Sequence, residues 1–482
     1  MDSISQLRLT ILGKSKSTDD LRERPEKFDF LGVDKKTRTR TLLEKTIPKT
    51  AVISQTPSEE REKIFSYIIN FWERSLLEAD YLADTGKGLN LSKRPFLAPS
   101  RINDGFNFAQ QYRWDTYFQN KGLIIAGGYD LAIDQLINIV EVFSQFKRVP
   151  NALTTWFLSH SQPPLEIFSA FDLLAAGVAP KDWLSRVIQM VEEELVSEWW
   201  DYESGKQQPR QTKQMFEKYG LMTRYNSIHF HPLLDSCEDG KDHNWVTATY
   251  GANYLPVQIN AIIYGILDRL VRYYSSEKLG NDQTKTRQYA IFRERLHHDF
   301  NRRFWCKEGK WTGFRNYSLI DGEGFIRYGD LAAEVWPLFV GLASKEQAEV
   351  TKNNLERYYA GDYGLASTSL VLREGGSLTK PPAGYQSFQW EYPNCWPPLM
   401  LVAVEGLKKY GYLEEARKYE HRWVQYLESA FKLTGFFTEK QPSAAHVEVN
   451  KGYYGNIKGF GWTISVYLDF LKDLALSNNL DF

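Results

Sequence analysis

The stretch Ile262-Ile263-Tyr264-Gly265-Ile266-Leu267-Asp268-Arg269-Leu270-Val271 repeats its apolar residues at three- and four-residue steps, the period of an amphipathic helix. The same step recurs in Ile133, Leu136, Ile137, Val140 and Phe143, and again in Ile464, Tyr467, Leu468, Leu471 and Leu474. Strand-like alternation is sparse, so the chain is expected to be mostly α. Residues 1–60 read differently: they are rich in Lys, Arg, Glu, Ser and Thr with scattered aliphatics. That composition predicts a polar N-terminal arm, loosely docked or extended. The helical pattern over 61–482 predicts a single large domain.

Between the helical runs lie long stretches, 105–111, 151–164, 227–247 and 375–398, which hold much of the Trp, Pro, Gly and His. Loops of that length in a compact domain usually carry function. The charge balance says what they do not bind: 59 basic against 60 acidic residues give a formal charge of −1, with no sequence-wide attraction for nucleic acid or anionic lipid. A small neutral partner is more natural, and the 15% aromatic content supplies rings able to stack on sugar faces. No run approaches the roughly 20 apolar residues that span a bilayer. The three cysteines, Cys237, Cys306 and Cys395, are widely spaced and read as reduced thiols. With no recognisable signal segment in Met1-Asp2-Ser3-Ile4-Ser5-Gln6, a cytoplasmic protein is expected.

The loops also carry carboxylates in suggestive company. In Tyr112-Arg113-Trp114-Asp115-Thr116-Tyr117-Phe118, Asp115 stands between aromatics, placed either to hold sugar hydroxyls beside Trp114 or to cap the next helix. Val149-Pro150-Asn151 leads to Ser159-His160-Ser161-Gln162-Pro163-Pro164, where Gln162 has both donor and acceptor capacity. Glu238-Asp239-Gly240-Lys241-Asp242 crowds three carboxylates into five positions, which can keep one carboxyl protonated near neutral pH. Gln389-Trp390-Glu391-Tyr392-Pro393-Asn394-Cys395-Trp396-Pro397-Pro398 follows, then Glu439-Lys440-Gln441 and Gly459-Phe460-Gly461-Trp462-Thr463. Two carboxylates flanking one glycosidic bond are the minimum apparatus for its hydrolysis. His229, His231, Asp235 and His243 offer a metal-ligand set, but alternating loop histidines more often bond substrate or backbone. No phosphate-binding loop of the G-x-x-x-x-G-K-[ST] type occurs.

In that order the segments resemble the trehalase family of inverting glycoside hydrolases. Tyr112 to Phe118 matches its Y-x-W-D-[ST]-Y-F, and His160 to Pro164 its R-S-Q-P-P except at the first place. Glu238 to Asp242 aligns with E-S-G-W-D, Gln389 to Pro397 with Q-W-D-x-P-x-G-W-x-P, and Glu439 onward with E-K-Y before G-F-G-W-T. The resemblance implies an (α/α)6 barrel whose long loops form the active site at one end, with no metal or other cofactor. It makes Asp242 the general acid and Glu439 the general base. It puts Tyr112, Trp114, Asp115, Asn151, His160, Gln162, Gly240, Trp390, Glu391 and Trp462 around the substrate.

The departures concern the leaving-group side. The family places arginines there; this chain has Asp104-Gly105-Phe106-Asn107 and His160 at two of those places and Arg224 as the nearest candidate for a third. Tyr453 stands where the family has glutamate before G-F-G-W. The expected substrate is therefore a small α-glucoside of compatible-solute type: glucosylglycerol, glucosylglycerate or trehalose. The alternative is a catalytically inactive carbohydrate-binding or sensing protein on the same fold.

Overall fold

In the computed structural model the described residues are 59–77, 88–101, 108–201, 210–226, 237–242, 244–320, 324–373, 388–452 and 454–478. The expected arm, up to residue 58, lies outside them, as do His229, His231, Asp235, His243, the 104–107 segment and Tyr453. In chain order the described helices are α1 (Glu59–Ser75), α2 (Arg113–Ile125), α3 (Tyr129–Phe146), α4 (Glu166–Ala175), α5 (Asp182–Glu194), α6 (Lys213–Tyr219) and α7 (Trp245–Tyr250). They continue as α8 (Val257–Ser275), α9 (Gln283–Phe304), α10 (Leu331–Phe339), α11 (Lys345–Asn354), α12 (Pro397–Lys409), α13 (Leu413–Thr434) and α14 (Gly461–Asn478). The periodic runs around Ile137, Ile266 and Tyr467 fall in α3, α8 and α14, as their spacing predicts.

Six of these helices close a ring. α2 packs on α4, α4 on α8, α8 on α10, α10 on α12, α12 on α14, and α14 back on α2. Outside them α3 covers α2, α5 covers α4, α9 covers α8, α11 covers α10, α13 covers α12 and α14, and α1 lies on α13. This is the expected (α/α)6 barrel. Side-chain pattern decides which ring a helix joins. All nine residues of α10 are buried, so it must have neighbours on every side. In α9, by contrast, Tyr289, Phe292, Leu296, Phe300 and Phe304 form one buried stripe of an otherwise polar helix.

Inner helices approach closely where glycine removes a side chain. A Cβ on Gly122 of α2 would lie 2.5 Å from Ser465 Oγ of α14, one on Gly265 of α8 2.6 Å from Phe168 of α4, and one on Gly406 of α12 2.9 Å from Leu338 of α10. Short strands sit among the loops: Tyr328–Asp330 pairs antiparallel with Thr368–Arg373, and Asn394–Cys395 with Gln441–Pro442. Most are two residues long, too short to leave an alternating trace in sequence.

Candidate active site

Every inner helix is entered from a loop that bonds to its neighbours at the same end of the ring. Tyr112 precedes α2, Gln162-Pro163-Pro164 precede α4, the Asp242 loop and Pro256 precede α8, Asp330 caps α10, Trp396 precedes α12, and Gly459 precedes α14. The prolines at 256, 397 and 398 suit helix entry, where a missing N–H costs nothing. The six positive helix ends thus face one region, a favourable setting for carboxylates.

At the α2 entrance the Trp114 N–H donates to Gln162 Oε1 at 2.8 Å, joining the first two motifs. Arg113, at the motif's variable place, is fully buried and reaches Glu166 (2.6 Å), Glu194 (2.6 Å) and Ser161 Oγ (3.0 Å). Burial alone would lower its pKa; the two carboxylates outweigh that and raise it. Asp115 does not cap the helix. Tyr112 holds the N-cap position without a side-chain cap, and Asp115 lies buried in the first turn. Burial first, then the charges of Asp242 and Glu439, push the Asp115 carboxyl well above its ordinary range. Both of those carboxylates therefore bear on one buried group.

Of the three crowded carboxylates, two are engaged in holding the loop. Glu238 accepts from Arg210 (2.5 Å) and from the Ser161 N–H (3.3 Å). Asp239 accepts from the Lys241 N–H (2.8 Å), the Asn244 amide (3.0 Å) and the Thr247 hydroxyl (3.2 Å), and burial pushes its pKa up to about 6. Asp242 is half-buried, and its charge acts on Tyr112, Asp115, Lys440 and Tyr454. Gly240 has φ +76°, and a Cβ there would lie 2.8 Å from the Trp114 indole, so only glycine lets this turn lie on that ring. Asn151 ties the second loop to the same turn by donating to the Cys237 carbonyl at 3.1 Å. His160 is buried, with Nδ1 2.7 Å from Ser159 Oγ.

Glu439 is held directly. Tyr454 Oη donates to Oε1 at 2.8 Å and Lys440 Nζ to Oε2 at 3.1 Å, while Trp462 Nε1 donates to its carbonyl at 2.8 Å. Burial raises its pKa; the Lys440 charge and the Tyr454 hydroxyl oppose the rise without cancelling it. Trp390 stacks on Trp396 with ring centroids 3.9 Å apart, and Trp462 stands edge-on to both. Glu391 is buried against Tyr328 and Thr368 and accepts from the Trp245 N–H at 3.2 Å. Burial pushes its pKa up to about 8.

The expected residues thus converge, while several neighbours carried no signal or an unread one. Tyr454 and Lys440 adjoin recognised motif residues, a proximity in sequence that marks them in retrospect. Asp330 belongs to no motif. Arg224, the nearest arginine by sequence, donates to the Ala252 carbonyl at 2.6 Å, whereas Arg210 pairs with Glu238 and stacks on Trp199 at 4.5 Å. Among the described residues no helix is long and apolar enough to cross a membrane.

Comparison with known proteins agrees with this architecture. The Trehalase family model matches residues 14–237 and 233–475. A periplasmic trehalase of Pseudomonas aeruginosa is 24% identical over 471 residues, covering 90% of this chain and 81% of its own length. One of Salmonella paratyphi C is 25% identical over 420 residues, covering 79% and 70%. In three dimensions the neutral trehalase of Saccharomyces cerevisiae superposes with a TM-score of 0.64 at 20% identity, covering 78% of this chain and 73% of that one. A GH63 mannosylglycerate hydrolase of Thermus thermophilus, in complex with glucose, gives 0.54 at 14%, covering 80% and 97%.

The cytoplasmic expectation is corrected by the Pseudomonas and Salmonella relatives, which are named periplasmic trehalases. It rested on the opening residues Met1 to Gln6 and on reduced thiols; Cys306 and Cys395 are buried and separate, an arrangement equally stable in either compartment. The chain belongs to the trehalase family of glycoside hydrolases.

Proposed function

We propose that this glycoside hydrolase cleaves a small α-glucoside in one displacement with inversion. Asp242 gives its proton to the glycosidic oxygen while Glu439 takes one from the attacking water on the opposite face. The observation that supports this reading most strongly is that the Asp242 and Glu439 charges both bear on buried Asp115. Asp115, Gln162, Gly240 and Trp114 recognise the reacting glucose, with Tyr112, Asn151, Trp390, Glu391 and Trp462 shaping its surroundings. His160 belongs to the leaving-group side. Tyr454 and Lys440 keep Glu439 oriented and ionised, as a base requires.

Trehalose is the first substrate to test, because the curated relatives quoted above are trehalases. Glucosylglycerol and glucosylglycerate form a second reading, favoured by histidine at 160 in place of the family's arginine. A site whose polar groups are matched to one leaving group rejects others. The test is a panel of trehalose, glucosylglycerol, glucosylglycerate, mannosylglycerate and sucrose, with proton NMR of the first-formed sugar. β-Glucose is the expected initial product. α-Glucose appearing first would defeat the inverting assignment, and sugar binding by calorimetry without any product would favour the inactive sensor.

A further inference from the structure

The loop carrying Asp242 is clasped from within and braced from outside. Inside it, Asp239 gathers the Lys241 N–H, the Asn244 amide and the Thr247 hydroxyl, and the Asn244 amide also donates to the Lys241 carbonyl at 2.8 Å. Outside it, the Lys241 ammonium lies 2.9 Å from Asp330 Oδ2 and 3.8 Å from Asp239 Oδ2. Asp330 Oδ2 also accepts from the Asn316 amide at 3.0 Å, while its Oδ1 caps α10 through the Ala332 N–H at 3.1 Å. On the far side of Asp242, the Trp245 N–H is held by Glu391.

We propose that Lys241 is a positioning residue for the Asp242 carboxyl, its buried ion pair with Asp330 bracing the loop before α8 against the entrance of α10. The inference rests on the reading of Asp242 as proton donor. Lys241 is buried together with Asp330. An ammonium withdrawn from water persists only when paired and hydrogen-bonded, so the pair has one good geometry and resists displacement. Asp242 is the next residue along the chain and inherits that restraint. The matching family segment has tryptophan at this place, so the ion pair with Asp330 belongs to this chain and not to the motif.

The test separates positioning from general damage through the leaving group. A sugar or polyol leaving group needs a proton, whereas fluoride departs from α-glucosyl fluoride without one. The variants are Lys241→Met, Lys241→Arg, Asp330→Asn and Asp242→Asn in the full chain; asparagine at 330 keeps an acceptor for the α10 cap. On the O-glucoside turned over fastest, Lys241→Met is expected to lower kcat about 10- to 100-fold with KM moved less than about threefold. Turnover of the fluoride stays within about threefold of the parent. Asp330→Asn reproduces the pattern, the double variant is no worse than either single one, and Lys241→Arg recovers much of the loss. Equal losses on both substrates, or an unchanged kcat on the O-glucoside, overturn the proposal. Asp242→Asn is the control: if it is not selective for the O-glucoside, the proton-donor assignment fails and the bracing role falls with it. If Asp242→Asn is selective and Lys241→Met is not, only the bracing role fails. Should Lys241→Met not fold, Asp330→Asn carries the same decision.

Discussion

The two sides of the site are built differently. Glu439 is gripped at the carboxylate itself, with Tyr454 on one oxygen, Lys440 on the other and Trp462 on its own backbone carbonyl. Asp242 sits on a loop whose other carboxylates, Glu238 and Asp239, are bonded to Arg210, Asn244 and Thr247. The Glu439 carboxylate has a cation and a hydroxyl in contact, and the Asp242 loop is tied down at its two other carboxylates. The grip on Glu439 suits the base proposed there, because a base must stay ionised in a buried place, which takes a cation and a donor in contact.

The sharpest way to break the comparison is to remove each group. Asp242→Asn and Glu439→Gln are each expected to lower kcat about 100- to 10,000-fold while thermal unfolding stays close to the parent. Near-normal turnover in either removes that residue from its role. Next comes Lys440→Met, which takes away the cation that lowers the Glu439 pKa. The base works only when ionised, so the acid limb of the kcat/KM profile moves to higher pH; a downward move would contradict direct support by Lys440. Stability falls as well, by about 3–5 kcal/mol, because a buried carboxylate loses its partner. Denaturant titration reads that loss.

Tyr454→Phe sharpens the same side with a smaller change. A hydrogen bond to a charged group is worth about 1.5–3 kcal/mol, so kcat should drop roughly 10- to 100-fold, again with an upward shift of the acid limb. An unmoved limb would mean that the hydroxyl bonded to Oε1 does not govern ionisation. The smallest effect belongs to the acid side. Gly240→Ala puts a Cβ against the Trp114 indole at a φ of +76°, costing about 1–2 kcal/mol of stability. The loop then has to shift, and the O-glucoside should lose more turnover than α-glucosyl fluoride does. Equal losses would show that the turn merely packs.

The helical class was legible because one-sided burial writes a 3.6-residue period into the chain, as in Ile262 to Val271. The motif residues were legible through the family's segments, which carry a carboxylate at 242 and 439, an amide at 162 and a glycine at 240. The cytoplasmic expectation rested on the opening residues and on reduced thiols, and the periplasmic relatives overturn it: neither feature reports a compartment. Arg210, Asp330 and Tyr454 were not read at all. Arginine and aspartate occur throughout such a chain, and nothing local distinguishes one that reaches Glu238 or Lys241 from one that meets solvent; Tyr454 lies near a recognised motif, but proximity alone does not tell that its hydroxyl reaches Glu439.

By itself the sequence determined the helical runs, the polar arm's composition and the motifs shared with the trehalase family, all properties of short windows with a physical period or a required side-chain type. Only the tertiary structure decided that the ring closes α14 onto α2, that six loops meet at one end, and that Glu238 and Asp239 are bonded to Arg210, Asn244 and Thr247. Those are contacts between residues tens to hundreds of positions apart, such as Lys241 with Asp330 or Trp245 with Glu391. They exist only once burial of the inner helices has set the loops side by side.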